Sequence, residues 1–254
     1  MKKVAFCFMI YERIENEEAW REFFSQASPE KYTIYVHPKA HLNYTGIFAN
    51  HVIQEHVDTF YEHVSLVQCS NALFRAAYTD EDNVKFVLLS GHCIPVKSFE
   101  YIYNLLIADD NAYIQLCPEE QKFPRNRPLL KYTASQNIAK HAQWVILTRN
   151  DVHFFKDDPN MEWFRGLGTP DESYYMTLLR TRGTTGHIVS GKQTIDRTTF
   201  TNWEGDADYA FYEHHKGLKT YTTISKKELT YLQEHKPFPL FARKFERGSL
   251  EEFV

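Results

Sequence analysis

No C-x-x-C pair occurs in this chain. Its four cysteines, Cys7, Cys69, Cys93 and Cys117, are widely spaced, which disfavours a zinc ribbon or dithiol redox centre and predicts reduced, mostly buried thiols. Long apolar runs are missing as well. The stretch from Val4 to Ile10 is broken by Tyr11-Glu12-Arg13, far short of the ~20 residues that cross a bilayer, and no cleavage site follows it. A soluble, cytoplasmic protein with no integral membrane segment is therefore expected, in which the formal sequon Asn43-Tyr44-Thr45 stays unmodified. Nor is there an excess of one charge. Lys and Arg total 29 against 33 Asp and Glu, for a net charge of -4, and the basic residues are scattered, so nucleic acid has no footprint. There is no P-loop, no G-x-G-x-x-G after a strand and no G-x-S-x-G elbow. Repeats, heptads and low-complexity tracts are also absent, and the 12 histidines show no metal-ligand spacing.

What is present is an ordinary globular composition, 43% hydrophobic over 254 residues, ample for one large α/β domain. The stretch Lys85-Phe86-Val87-Leu88-Leu89-Ser90-Gly91-His92-Cys93-Ile94-Pro95 organises the reading. Its apolar run lacks polar alternation, the pattern of a strand buried on both faces of a parallel sheet. Ligands of open α/β sheets bind beyond the carboxyl ends of the strands, which places Ser90, Gly91 and His92 where a ligand is expected. An ordinary strand-to-loop turn explains the same residues.

Around that strand the chain reads as strand (Val4 to Met9), helix (Glu15 to Ser25) and strand (Tyr32 to His37), a βαβ unit that predicts a parallel pair. Helices are predicted from Ser65 to about Tyr78 and from Ser98 to Ile107, and a further strand over Ala112 to Leu116. Phe123-Pro124-Arg125-Asn126-Arg127-Pro128 is a proline-bounded basic loop. Gly168-Thr169-Pro170-Asp171-Glu172 reads as a helix start: Thr169 at the N-cap, Pro170 at the first position and Glu172 closing a capping box. Two Asp-x-Asp strings occur, Asp80-Glu81-Asp82 and Asp206-Ala207-Asp208. Neither follows a hydrophobic strand, so both are expected to be surface carboxylates. Pro239-Leu240-Phe241-Ala242-Arg243-Lys244-Phe245 is an apolar run carrying two adjacent cations, an odd composition for a plain core strand.

The segment FVLLSGHCIPVKSFEYIYNLL, the P-D-E triplet ending at Glu172, the H-A-Q-W string ending at Trp144, the threonine-rich stretch ending at Trp203 and the F-A-R-K-F string at the C-terminal end together resemble the core-2/I-branching glycosyltransferase family. That group includes β-1,6-N-acetylglucosaminyltransferases, peptide O-xylosyltransferases and plant glucuronosyltransferase relatives, and the similarity is closest to the plant-type branch. The resemblance implies a GT-A-type glycosyltransferase fold, a central mostly parallel sheet flanked by helices, in a single domain over residues 1–254. Animal members carry an N-terminal anchor, so this chain resembles a bare catalytic domain.

The same resemblance implies an inverting glycosyltransferase that moves a sugar, N-acetylglucosamine or xylose foremost, from a UDP-sugar donor to a hydroxyl of a glycan acceptor. In the family the matching Glu is the catalytic base, which assigns that role to Glu172; such a base is worth about 10²–10⁴-fold in rate. Lys244 is implied to reach the diphosphate, with Arg243 or Lys219 as the second cation. No metal or other cofactor is expected, because these cations take the place of a divalent ion. His37 stands where animal members usually carry Asp and is a candidate nucleotide contact, with Ser90 at the hinge. Tyr61 is read either as a ring stacked on uracil or as a core residue. For the acceptor the candidates are Trp203, which otherwise reads as a core Trp, Lys131 in the basic region, and Trp144 as a packing residue of the pocket wall. The alternative reading is a catalytically silent glycan- or nucleotide-binding module on the same fold. A structural or partner-binding protein would have no affinity for UDP.

Overall fold

A computed structural model of the chain describes residues 1–39, 44–118, 121, 125–184 and 193–250. Asn43 of the sequon and Phe123-Pro124 of the basic loop lie outside the described residues. The first strand, β1 (Lys3–Ile10), is followed by α1 (Glu17–Ser25) and β2 (Tyr32–Pro38), then by α2 (Ser65–Tyr78) and β3 (Asn83–Ser90). β1 pairs in parallel with β2 on one side and with β3 on the other. The predicted βαβ unit is there, with the helix starting two residues later than expected.

β1 alternates between two cores. Val4, Phe6, Phe8 and Ile10 face one side, where Trp20, Phe23 and Phe24 of α1 pack with Phe99 and Ile102 of α3 (Phe99–Ile107). Ala5 and Cys7 face the other, against Leu73 and Phe74 of α2 and Tyr175 of α5 (Tyr174–Thr181). β3 does the same, with Phe86 and Leu88 on one face and Val87 and Leu89 on the other. That is why its sequence shows no polar alternation. Phe6 is the hub of the first face: its ring lies 5.1 Å from Phe24, 5.7 Å from Phe23 and 6.4 Å from Phe241, each edge-on. Full burial of each such side chain contributes about 1.5–3 kcal/mol.

The sheet is completed by β5 (Ile146–Thr148), antiparallel to β3, giving the order β2-β1-β3-β5. α4 (Arg149–Phe155) follows directly, held by a complete capping box between Thr148 and Asp151. The strand predicted over Ala112 to Leu116 is reduced to single bridges. Tyr113 pairs with Ile146 and Leu116 with His141, so the segment divides itself between two partners and forms no ladder.

A second, small sheet runs β4-β7-β6, from β4 (Ile94–Pro95), β6 (Thr199–Thr201) and β7 (Phe241–Arg243). Its own core joins Ile94, Phe200, Tyr221, Ala242 and Phe245 with Leu232 of α6 (Lys226–Glu234). This sheet carries the C-terminal cations to the end of β3.

The chain passes from β1 out to β2 and returns to the other flank of β1 as β3, so the winding reverses between β1 and β3. The crevice beyond Ile10 and Ser90 is thus the switch point at which open α/β sheets bind ligands. The two loops are laced there, Glu15 N–H donating to Gly91 O at 2.8 Å. A Cβ on Gly91 would lie 2.3 Å from the Arg13 carbonyl oxygen. Gly91→Ala is therefore expected to destabilise by about 1–3 kcal/mol through overpacking, read as a lower urea midpoint at unchanged slope; an unchanged midpoint would show that the loops part without cost.

Candidate active site

The helix start predicted at Thr169 does not form. Thr169 adopts the left-handed conformation, φ 58°, and makes no side-chain cap, whereas an N-cap requires extended backbone. Its hydroxyl donates instead to Gly168 O. Pro170–Glu172 is a 3₁₀ turn, and α5 begins only at Tyr174. Glu172 is thereby released from the capping role that would have accounted for it.

The main chain of Glu172 is anchored, and its carboxylate is partly exposed. Its carbonyl accepts from His141 N–H at 2.7 Å. The neighbouring Cys117 N–H donates to Lys140 O at 2.9 Å, so Lys140 is presented beside the turn. Its ammonium lies 3.4 Å from Glu172 Oε2, with the two side chains 23% and 27% exposed. That separation makes a Coulombic contact more than a well-formed hydrogen bond. Asp171, next in the chain, is buried with Oδ1 unpartnered. Its carboxyl is pushed up to about 7, first by burial and then by the charges of Glu172 and Glu62.

Glu62 belongs to the loop that carries Tyr61. That loop therefore approaches the 171–172 turn, and Tyr61, 88% exposed, has no place in the core. His37, at the end of β2, is fully buried; its Nε2 accepts from Val57 N–H at 2.9 Å and its ring stacks on His56. Ser90 closes β3, its hydroxyl 3.3 Å from both Cys93 Sγ and the His92 N–H.

The cations arrive from β7. The guanidinium of Arg243 lies over the Trp144 ring, 4.6 Å from its centroid, a cation–π contact. Trp144 is buried in the core around β1 and β3. Arg243 Nε is enclosed and has no hydrogen-bond partner. Burial lowers the affinity of Arg243 for its proton, and the negative charge of Glu172 acts against that. Glu172 and Arg243 consequently share one neighbourhood. Lys244 follows, its main chain held by Tyr221 N–H to Lys244 O at 2.7 Å and by Phe245 N–H to His92 O at 3.0 Å. Among the described residues neither Arg243 nor Lys244 forms an ion pair.

Lys219 is placed differently. Its ammonium is 3.3 Å from Glu213 and 4.9 Å from the centroid of Tyr221, lining a separate cavity of about 460 Å³ with Thr222 and Glu228. Trp203 is 44% exposed, not a core residue, and bridges Leu218 while its N–H donates to Asp206 at 2.9 Å. Asp206 pairs with Arg197 at 3.1 Å. Arg197 in turn acts electrostatically on Cys117, as do Lys140 and Glu172. Lys131 is exposed on the 3₁₀ turn Arg127–Lys131 and forms no ion pair with Glu172 among the described residues.

Both Asp-x-Asp strings have structural partners. Asp80 and Asp82 lie 2.8 and 3.7 Å from the Lys3 ammonium. Asp206 is held by Arg197, and Asp208 accepts from Thr194 N–H and hydroxyl at 3.0 and 3.1 Å. Among the described residues no three His, Cys, Asp or Glu side chains gather in a metal-binding group, and no helix is long and apolar enough to cross a membrane. All four cysteines are free thiols, three of them buried. Sequence reasoning missed Lys140, which has no local signature, and named His92 only by its position at a strand end.

A family model of Core-2/I-Branching enzymes matches residues 4–234, and the chain belongs to that family. The F-A-R-K-F segment lies beyond the matched span. The chain is also similar to Glycosyltransferase BC10 of Oryza sativa subsp. japonica, with 22% identity covering 97% of this chain and 74% of that protein. Among solved structures, that of an active-site mutant of LgtC superposes with a TM-score of 0.44 and 10% identity, covering 94% of this chain and 86% of the other.

Proposed function

We propose that the chain is a metal-independent, inverting glycosyltransferase of GT-A type that moves a sugar, N-acetylglucosamine or xylose foremost, from a UDP-sugar to a glycan hydroxyl. The reading is carried by one observation: Glu172, a carboxylate freed from any capping duty, acts electrostatically on Arg243, and Arg243 and Lys244, two cations without ion-pair partners among the described residues, stand by His92 beyond the end of β3. Membership of the branching-enzyme family and the name of the rice relative support the same class.

In this reading Glu172 takes the proton of the acceptor hydroxyl as its oxygen attacks the anomeric carbon. Attack from the face opposite the nucleotide inverts that centre, and a single base suffices. The electron pair of the breaking bond leaves on the β-phosphate of UDP. Lys244 and Arg243 stabilise the charge that grows there, each charge-assisted hydrogen bond contributing about 1.5–3 kcal/mol. The exposed rings of Tyr61 and Trp203 are assigned to the base of the nucleotide and to the apolar face of the acceptor.

Calorimetry with UDP, followed by a UDP-release assay over a panel of UDP-sugars with and without EDTA, tests the proposal. Binding plus release that survives EDTA is expected. Binding with no release from any donor favours a silent module, loss of turnover in EDTA removes the metal-free mechanism, and absence of binding removes the class.

A further inference from the structure

His92 has no role in the mechanism above, although its loop is bonded to the Lys244–Phe245 segment. It follows β3 at the switch point, and its main chain is fixed from two sides: His92 O accepts from Phe245 N–H at 3.0 Å and Gly91 O accepts from Glu15 N–H at 2.8 Å. The loop is tight, since Cys93 N–H turns back to Ser90 O at 3.1 Å and the Gly91 Cα abuts the Arg13 carbonyl. The imidazole is one-quarter exposed.

The charged groups around it come from three elements. Lys244 and Arg243 approach from β7 and both act on the imidazole. Glu15, in the loop after β1, has Oε1 4.0 Å from His92 Nε2, too far for a hydrogen bond. Glu15 itself is surrounded by Arg13, Glu246 and Arg247, and burial raises its affinity for a proton. Cys93 and Ser90 complete the set from the same loop, bonded to each other. Burial first, then Lys244, then Arg243, lowers the His92 ring to about 4. In the free protein at neutral pH the ring is therefore neutral, and two positive charges beside it oppose its protonation.

A diphosphate entering this crevice reverses that balance, because its negative charges offset the two cations and favour the protonated ring. We propose that His92 is a third, proton-dependent cation of the anion subsite: neutral in the free protein, it takes up one proton from solvent as a nucleotide diphosphate binds and donates a hydrogen bond to it. No covalent bond changes on this residue; the proton returns to solvent when the nucleotide leaves. This inference rests on the assignment of the crevice to a nucleoside diphosphate.

The measurement is calorimetry of UDP binding near pH 6 in two buffers of different ionisation enthalpy, on the wild-type chain and on His92→Gln. The nucleotide's own ionisation is common to both proteins and cancels in their difference. The wild type is expected to take up at least ~0.5 proton more than the variant, and its affinity relative to the variant to rise by up to ~tenfold between about pH 8 and pH 6. A second reading needs no variant: the His92 ring resonances, followed by NMR at about pH 6, should pass from neutral to protonated on addition of UDP. Equal proton uptake in the two proteins, or a ring that stays neutral with UDP bound, overturns the role of His92 and leaves the enzyme assignment standing. Failure of UDP to bind the wild type overturns that assignment, and this inference with it.

Discussion

Glu172→Gln is expected to lower sugar transfer by about 10²–10⁴-fold while UDP affinity stays nearly unchanged. The amide keeps the size of the carboxyl group and the main-chain anchor at His141, so the turn should persist. What disappears is the ability to take a proton, along with the Coulombic contact to Lys140. Because the turn carries no cap from Thr169, the substitution removes no helix-capping bond, and lost turnover cannot be ascribed to a frayed α5. Steady-state transfer and UDP calorimetry on the same preparation give both numbers. A Gln variant that turns over at the wild-type rate would take Glu172 out of the mechanism. One that loses UDP affinity equally would make it a binding residue.

Lys244→Ala should show the opposite division. Loss of one charge-assisted hydrogen bond to phosphate, about 1.5–3 kcal/mol, corresponds to UDP binding weaker by about 10–150-fold. Thermal stability should change little, since the ammonium has no ion-pair partner among the described residues that its removal would strand. Arg243 is a poorer probe, because its guanidinium also covers Trp144 and truncation would remove packing along with charge. UDP affinity that survives Lys244→Ala would show that the diphosphate lies away from β7 and would remove the substitute for a metal ion.

Much of the fold was legible because single strands and helices declare themselves locally. The uninterrupted apolar run at Phe86–Leu89 announces a strand with both faces covered, and the two cores on either side of β3 are the reason. Ser65–Tyr78 appears with the bounds its sequence implies, and Ser98 caps α3 by accepting from the Tyr101 N–H. Thr169 shows where local reading fails. The string Thr-Pro-Asp-Glu satisfies every residue preference of a capping box, but a left-handed φ at Thr169 turns its hydroxyl to Gly168. Residue preferences do not encode that rotation. Ala112 to Leu116 fails for a similar reason: strand character is visible in the residues, whereas the partners, Ile146 and His141, are set by how distant segments pass.

The candidate site divides along the same line. Glu172, Arg243 and Lys244 are singled out by resemblance to the family's P-D-E and F-A-R-K-F strings, since the residues alone read Glu172 as part of a helix cap. Their meeting is not legible in the chain, because the pieces come from the end of β3, the 140–144 segment, the 170–172 turn and β7, separated by up to some 150 positions in the sequence. Lys219 and Lys244 are both candidate diphosphate cations, but packing sends the first to Glu213 and the second to the side of His92.

By itself the amino-acid order determined the layers of this protein, since the period of its apolar residues settles which segments coil, which extend and which faces seek cover. Only the tertiary structure decided which polar groups stand together, because proximity between remote segments, and the shifts in proton affinity that follow from it at His92 and Asp171, arise from packing distance and lost water, and neither is written in the order of neighbours along a chain.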